Sequence, residues 1–298
     1  MPEITEHLNI PLDRDIKVFI SPTLIEGERG KSQVSNKLYL RTKAFFSHLV
    51  NDFVIPDDEV KGVELLNFLH EPYEYRIGYS NGTYFGKGVG PEKGKSVFNA
   101  FKNNSFAQRG VSILSDPLSI LLLVDGIGQD NVSDILANVC RDLFCEFTLK
   151  QCLKYNVPTS DYTIDYFNLE NLSWETKVVQ LPSYRGKEII LLPYWAVSKE
   201  LKFNLLYNKH VCLKYIWEDI VRTQKVSSIP DRFLIVNKRG EIRPNIGAMM
   251  EEYKLSKKEF RLFVLKYQNS ISTFRDDVNL KYPALSYQDL KGIYKEAS

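Results

Sequence analysis

Leu118-Ser119-Ile120-Leu121-Leu122-Leu123-Val124 (LSILLLV) is the stretch on which the fold turns. It is short for a helix and too apolar for a strand with one wet face, so it reads as a central strand buried on both faces. Downstream, Val132, Leu136, Val139, Leu143, Phe144 and Phe147 line one broad face, which predicts a long helix from about Ser133 to Tyr155, ended by Pro158. Upstream, apolar residues at helical spacing predict helices over Ser35–Phe53 and Glu59–Leu69, and a further helix is expected over Glu92–Lys102.

Strands are expected at Asp15–Ile25, broken by Pro22, at Tyr73–Tyr79, and at Glu188–Val197, where Pro193 argues for an edge or a bulge. Residues 159–182 are polar and aromatic and carry no clear period, and a helix is expected over Asn204–Val221. Near the C-terminus, SKKE at Ser256–Glu259 and SYQD at Ser286–Asp289 match the capping-box pattern that opens helices. The expectation is a mixed α/β fold: a central sheet with packed helices over residues 1–225, then a helical, basic C-terminal region over 226–298.

With 298 residues, 44% hydrophobic and 26% charged, the chain can bury a sizeable core and falls outside the disordered, collagenous and membrane classes. No apolar run approaches the roughly 18 residues of a bilayer span, and the acidic start lacks the pattern of a secretory signal. A cytoplasmic protein without a membrane partner is therefore expected. Cys140, Cys145, Cys152 and Cys212 include no CxxC pair and read as reduced structural thiols, and the four histidines form no zinc-binding pattern. Charge is uneven: residues 221–298 carry 15 Lys or Arg against 9 Asp or Glu, while the preceding residues carry 24 against 28. A basic end on an acidic body points to nucleic acid or an acidic partner.

Glycines at 78, 82, 86, 88, 90 and 94 end in Gly94-Lys95-Ser96, which invites a phosphate-loop reading. The spacing fails, because the loop requires glycine at 89, where Val89 stands. The alternative is a basic hairpin whose missing side chains let a nucleic-acid backbone approach, with Lys87, Lys93, Lys95 and Lys102 supplying charge and Tyr84 stacking on a base.

Asp125, Asp130 and Asp134 follow the apolar run, at the strand end where open α/β sheets place ligands. Three carboxylates there could hold Mg²⁺ or Mn²⁺ for phosphodiester cleavage, with Lys187 stabilising charge on the phosphate. The competing reading makes them turn residues and helix-dipole partners.

The segments GYSNGTYFGKGVG and DGIGQDNVSDILANV, with a weaker echo at IILLPYWAV, resemble bacterial proteins encoded among anti-phage defence genes. That resemblance implies a role in prokaryotic defence, where metal-dependent PD-(D/E)xK nucleases are frequent. The chain departs from their pattern, because the lysine position after Glu188 is Ile190. The leading expectation is a defence protein that binds nucleic acid and cuts it with a metal. The alternatives are a non-catalytic recognition or assembly subunit working with a second defence protein, and an NTPase using Lys95.

Overall fold

The computed structural model describes residues 5–78 and 91–296. In chain order its elements are β1 (Val18–Ile20), α1 (Pro22–Gly27), α2 (Gln33–His48), α3 (Glu59–Leu66), α4 (Pro91–Lys102), α5 (Pro117–Leu123), α6 (Gln129–Val139) and α7 (Arg141–Tyr155). Then follow β2 (Ser160–Asn168), β3 (Ser173–Leu181), β4 (Ser183–Tyr184), β5 (Lys187–Glu188), β6 (Val197–Lys199), α8 (Phe203–Tyr207) and α9 (Leu213–Thr223). The C-terminal part holds β7 (Leu234–Val236), β8 (Ile242–Pro244), α10 (Ile246–Tyr253), α11 (Lys257–Lys266), α12 (Ser270–Lys281) and α13 (Tyr287–Glu296).

The fold is mixed α/β, but the run expected as its central strand is a helix. Asp116 caps α5 by accepting from Ser119 N at 2.9 Å and Ser119 Oγ at 2.6 Å, and Pro117 occupies the first turn, where its missing N–H costs nothing. A helix satisfies its backbone internally, so a run apolar all round can be buried on every side without a strand partner. Residues 118–123 are all buried, and α5 packs against α1, α2, α6, α8, α11 and α12.

The strands, among the described residues, form antiparallel pairs: β1 with β6, β2 with β3, β4 with β5, and β7 with β8. The β1–β6 pair joins segments distant in sequence, Phe19 standing opposite Ser198. The stretch without a clear period is the longest hairpin, β2–β3, in register from Ser160–Leu181 to Asn168–Ser173. Its Ile164, Phe167 and Leu181 are buried, and Trp174 Nε1 donates to Leu65 O at 2.9 Å.

Three further expectations change. Tyr73–Tyr75 is a 3₁₀ turn rather than a strand, followed by Arg76 in the left-handed region. The long helix over 133–155 is two helices: Cys140, with φ −103 and ψ 14, separates α6 from α7. Within Glu188–Val197, Pro193 precedes a 3₁₀ turn at Tyr194–Ala196, and pairing is reduced to β5, an isolated bridge between Pro193 and His7, and Val197, the first residue of β6.

One buried apolar cluster runs from Leu8 to Leu285 and includes Phe260, Phe263, Phe274 and Val278 of the C-terminal helices. A smaller cluster of Leu213, Ile229, Phe233 and Met249 supports the β7–β8 hairpin. No helix among the described residues is long and apolar enough to cross a membrane.

Candidate functional site

Of the aspartates after α5, Asp125 lies between α5 and α6, while Asp130 and Asp134 lie one turn apart on α6. Asp125 carries a side chain 67% exposed and is paired with Arg261 of α11 at 3.1 Å. Arg261 Nη1 also donates to Leu123 O at 2.9 Å, and Lys257 Nζ donates to Val124 O at 2.6 Å and Ile127 O at 2.7 Å. Two cations of α11 thus cap the C-terminal carbonyls of α5, where the helix dipole favours positive charge. Burial pulls the Lys257 amine down to about 8. Asp130 lies in the first turn of α6 beside Gly78, whose φ of +109 suits glycine. Asp134 is half-buried one helical turn further on, and its carbonyl accepts from Asn138 Nδ2 at 2.8 Å. Among the described residues, no group of three or more His, Cys, Asp or Glu side chains is arranged to hold a metal ion.

Lys187 lies in β5, its Nζ 5.6 Å from the centre of the Tyr73 ring, while Tyr73 donates to Glu188 at 2.9 Å. Tyr73 is thus a neighbour of Lys187, while Asp125 pairs with Arg261 of α11. Lys95 pairs with Glu59 at 3.2 Å, and Lys102 pairs with Asp57 at 2.6 Å and Glu59 at 3.7 Å. Their charge is matched by acids at the start of α3. Lys87, Tyr84 and the glycines from 82 to 90 lie outside the described residues, as does the side chain of Lys93.

The remaining buried charges are structural. Arg141 Nη2 meets Glu74 Oε1 at 2.6 Å, Asn138 Oδ1 at 3.1 Å and His70 Nδ1 at 3.3 Å. Asn138 also donates to His70 O at 2.8 Å, which pins the segment before the Tyr73 turn to α6. Desolvation, reinforced by Arg141, lowers the His70 pKa. Asp142 is held by Arg41 at 2.5 Å and Lys177 at 3.3 Å, fastening α7 to α2 and β3. All four cysteines are free and buried, and burial raises each thiol, Cys140 to about 12.

Two cations without an acidic partner among the described residues, Lys238 and Arg239, stand together at the tip of the β7–β8 hairpin. Asn237 N donates to Glu241 O at 3.0 Å, Gly240 N donates to Asn237 O at 2.9 Å, and Gly240 adopts φ +78. Asn237 Oδ1 accepts from Arg239 N at 2.9 Å and Glu241 N at 3.0 Å. This is a tight turn closed by a left-handed glycine, and it presents Lys238 and Arg239 at its apex. Neither side chain pairs with a carboxylate among the described residues, whereas Arg243 pairs with Glu241 and Arg232 with Glu252. Val236 and Ile242 stand directly opposite on one face of the ribbon, both exposed, and Ile235 is exposed on the other.

The ribbon is fixed at its base: Asn245 N donates to Phe233 O at 2.8 Å, and Asn245 Nδ2 donates to Arg232 O at 3.0 Å. Phe233 is buried with Met249 and Leu213. The signal for this feature was present as the turn-forming Asn237-Lys238-Arg239-Gly240 directly after the short apolar run LIV. The net charge of the tail, taken without its turn chemistry, does not locate it.

A family model described as a domain of unknown function matches residues 2–204. No curated protein and no solved structure matches the chain. The matched span holds Asp125, Asp130, Asp134 and Lys187 and stops before the β7–β8 ribbon.

Proposed function

We propose that this chain, which belongs to the DUF8370 family, is a recognition subunit that engages nucleic acid through the β7–β8 ribbon without itself cutting it. The observation that carries this reading is the rigid turn that holds Lys238 and Arg239 at the apex of a ribbon with unmatched charge. A two-stranded ribbon fits a groove about 12 Å wide, and unmatched cations at its tip gain affinity by releasing counterions from the phosphate backbone. The surplus of positive charge beyond residue 220 adds to the attraction. The setting in prokaryotic anti-phage defence, beside a second defence protein, rests on the sequence resemblance. The non-catalytic part rests on Asp125, whose carboxylate pairs with Arg261, an arginine that also caps α5.

The test is fluorescence anisotropy of the full chain with labelled duplex DNA, single-stranded DNA and RNA, between 50 and 200 mM salt. The double charge reversal Lys238→Glu/Arg239→Glu should weaken binding at least about tenfold and flatten the log–log salt slope by about 1–2. Equal affinity in wild type and variant would sink the interface. Gel analysis of the same mixtures with Mg²⁺ or Mn²⁺ should show intact strands. Cleavage lost in Asp125→Asn would instead establish the nuclease reading.

A further inference from the structure

A cleft of about 590 Å³ opens between α2 and α12, floored by α1 and the start of α5. One wall is a stripe at one-turn spacing, Tyr39, Lys43, Ser47 and Asn51, the last just beyond α2. The facing wall carries Gln268, Ser272 and Arg275. Arg275 bridges two acids: Nε lies 2.8 Å from Glu26 Oε2, without hydrogen-bond geometry, and Nη2 lies 2.9 Å from Asp116 Oδ1. The other Asp116 oxygen is engaged in capping α5.

We infer that this cleft binds an uncharged polyhydroxylated small molecule, a free sugar or the ribose of a nucleoside. The charges that line it balance, Glu26 and Asp116 against Lys43 and Arg275. An anion would lie against two carboxylates whose arginine is already shared between them. A cation would displace that arginine or meet Lys43. A neutral polyol meets neither penalty and can use both hydrogen-bonding senses of the lining: carboxylate oxygens accept, the Lys43 ammonium donates, and the hydroxyls of Ser47 and Ser112 with the amides of Asn51 and Gln268 do either. Ser115 also lines the cleft. The volume falls within the range of small-molecule sites, and Tyr39, one ring face of which is covered by Arg29, forms part of the lining. Burial raises the Glu26 carboxyl, in keeping with a desolvated acceptor that gains from donors. The cleft also needs both parts of the chain, because Glu26 and Asp116 lie within the family match while Ser272 and Arg275 lie beyond it.

Titration of the full chain by thermal shift and calorimetry tests this directly. Probes are the common ribonucleosides, their 2′-deoxy counterparts, and glucose, galactose and mannose, with inorganic phosphate and spermidine as charged controls. At about 10 mM, at least one neutral polyol should raise Tm by about 2 °C or more. A ribonucleoside that acts where its 2′-deoxy form fails identifies ribose; a hexose that acts alone identifies a free sugar. Ser272→Trp, at an exposed position on the wall, should abolish the shift by filling the cleft, and Lys43→Met should weaken it at least about fivefold. The inference is overturned if no polyol shifts Tm, if only phosphate or spermidine does, or if binding survives both variants.

Discussion

Arg261 Nη1 holds Asp125 at 3.1 Å and, with the same nitrogen, donates to the carbonyl of Leu123 at 2.9 Å. The two acceptors differ in weight, because the carboxylate is exposed and the carbonyl ends a buried helix. Asp125→Asn should therefore cost less than about 1 kcal/mol, as exposed ion pairs do. Arg261→Met should cost about 1–3 kcal/mol, since it removes a charge-assisted bond from the end of α5. Urea unfolding of both variants checks the order, and a larger loss in Asp125→Asn would contradict it.

Lys257 ties stability to alkaline pH. Its amine is pulled from the usual lysine value to about 8 by burial. Between about 8 and 10.5 the unfolded chain holds a proton that the folded chain has released, so this residue adds stability as pH rises through that window. The stability difference between wild type and Lys257→Met, followed from pH 7.5 to 10, should move in favour of wild type. The cysteines titrate in both proteins and cancel. A flat difference would refute the assignment.

Glu74 and Arg141 form a buried pair at 2.6 Å. Truncating one partner leaves the other charge desolvated, so Glu74→Ala should cost about 3–5 kcal/mol. The double variant Glu74→Met/Arg141→Met should lose clearly less than the sum of its single changes. Additive losses in denaturant melts would show that the pair is uncoupled.

His70 adds an acid limb. Its pKa lies below the ordinary histidine value, by desolvation and then by Arg141. As pH falls below about 6.5 the unfolded chain gains a proton that the folded chain resists, and stability is lost until the folded pKa is passed. Tm of wild type should decline more steeply between pH 7 and 5 than Tm of His70→Gln. Parallel curves would rule this out.

Thiol labelling reports on the core. Burial lifts Cys140, Cys145, Cys152 and Cys212 above the ordinary thiol range, so little thiolate is present at pH 8. Labelling with an aromatic disulfide should be slow in the native state and complete in denaturant. One fast-reacting native thiol would overturn the prediction.

Helical periodicity read well where a helix has one wet face: α3 falls within its expected range, α2, α4 and α9 overlap theirs to within two residues at the overrunning end, and Ser256 and Ser286 each form the reciprocal cap with Glu259 and Asp289. It failed where burial is complete. LSILLLV carries no period because α5 has no wet face, and the deciding signal was the Asp116-Pro117 start ahead of it. The β2–β3 hairpin was missed because only Ile164, Phe167 and Leu181 of its eighteen residues are buried, too few to give an apolar alternation among its polar and charged neighbours. At the acidic site, spacing located Asp125, Asp130 and Asp134 along the chain, but the partner of Asp125 comes from residue 261, which no local pattern reveals. The Glu26–Arg275–Asp116 bridge is equally non-local.

The family match ends at residue 204, inside α8, yet Phe260 and Phe274 are fully buried in the same cluster as α5. The unit defined by common ancestry is thus not the unit defined by burial. Cut at that boundary, α5 would lose the cover of α11 and α12 together with the cations that close its end. The N-terminal two-thirds cannot be transplanted as a free-standing module; a relative with a different tail needs another way to roof the same helix.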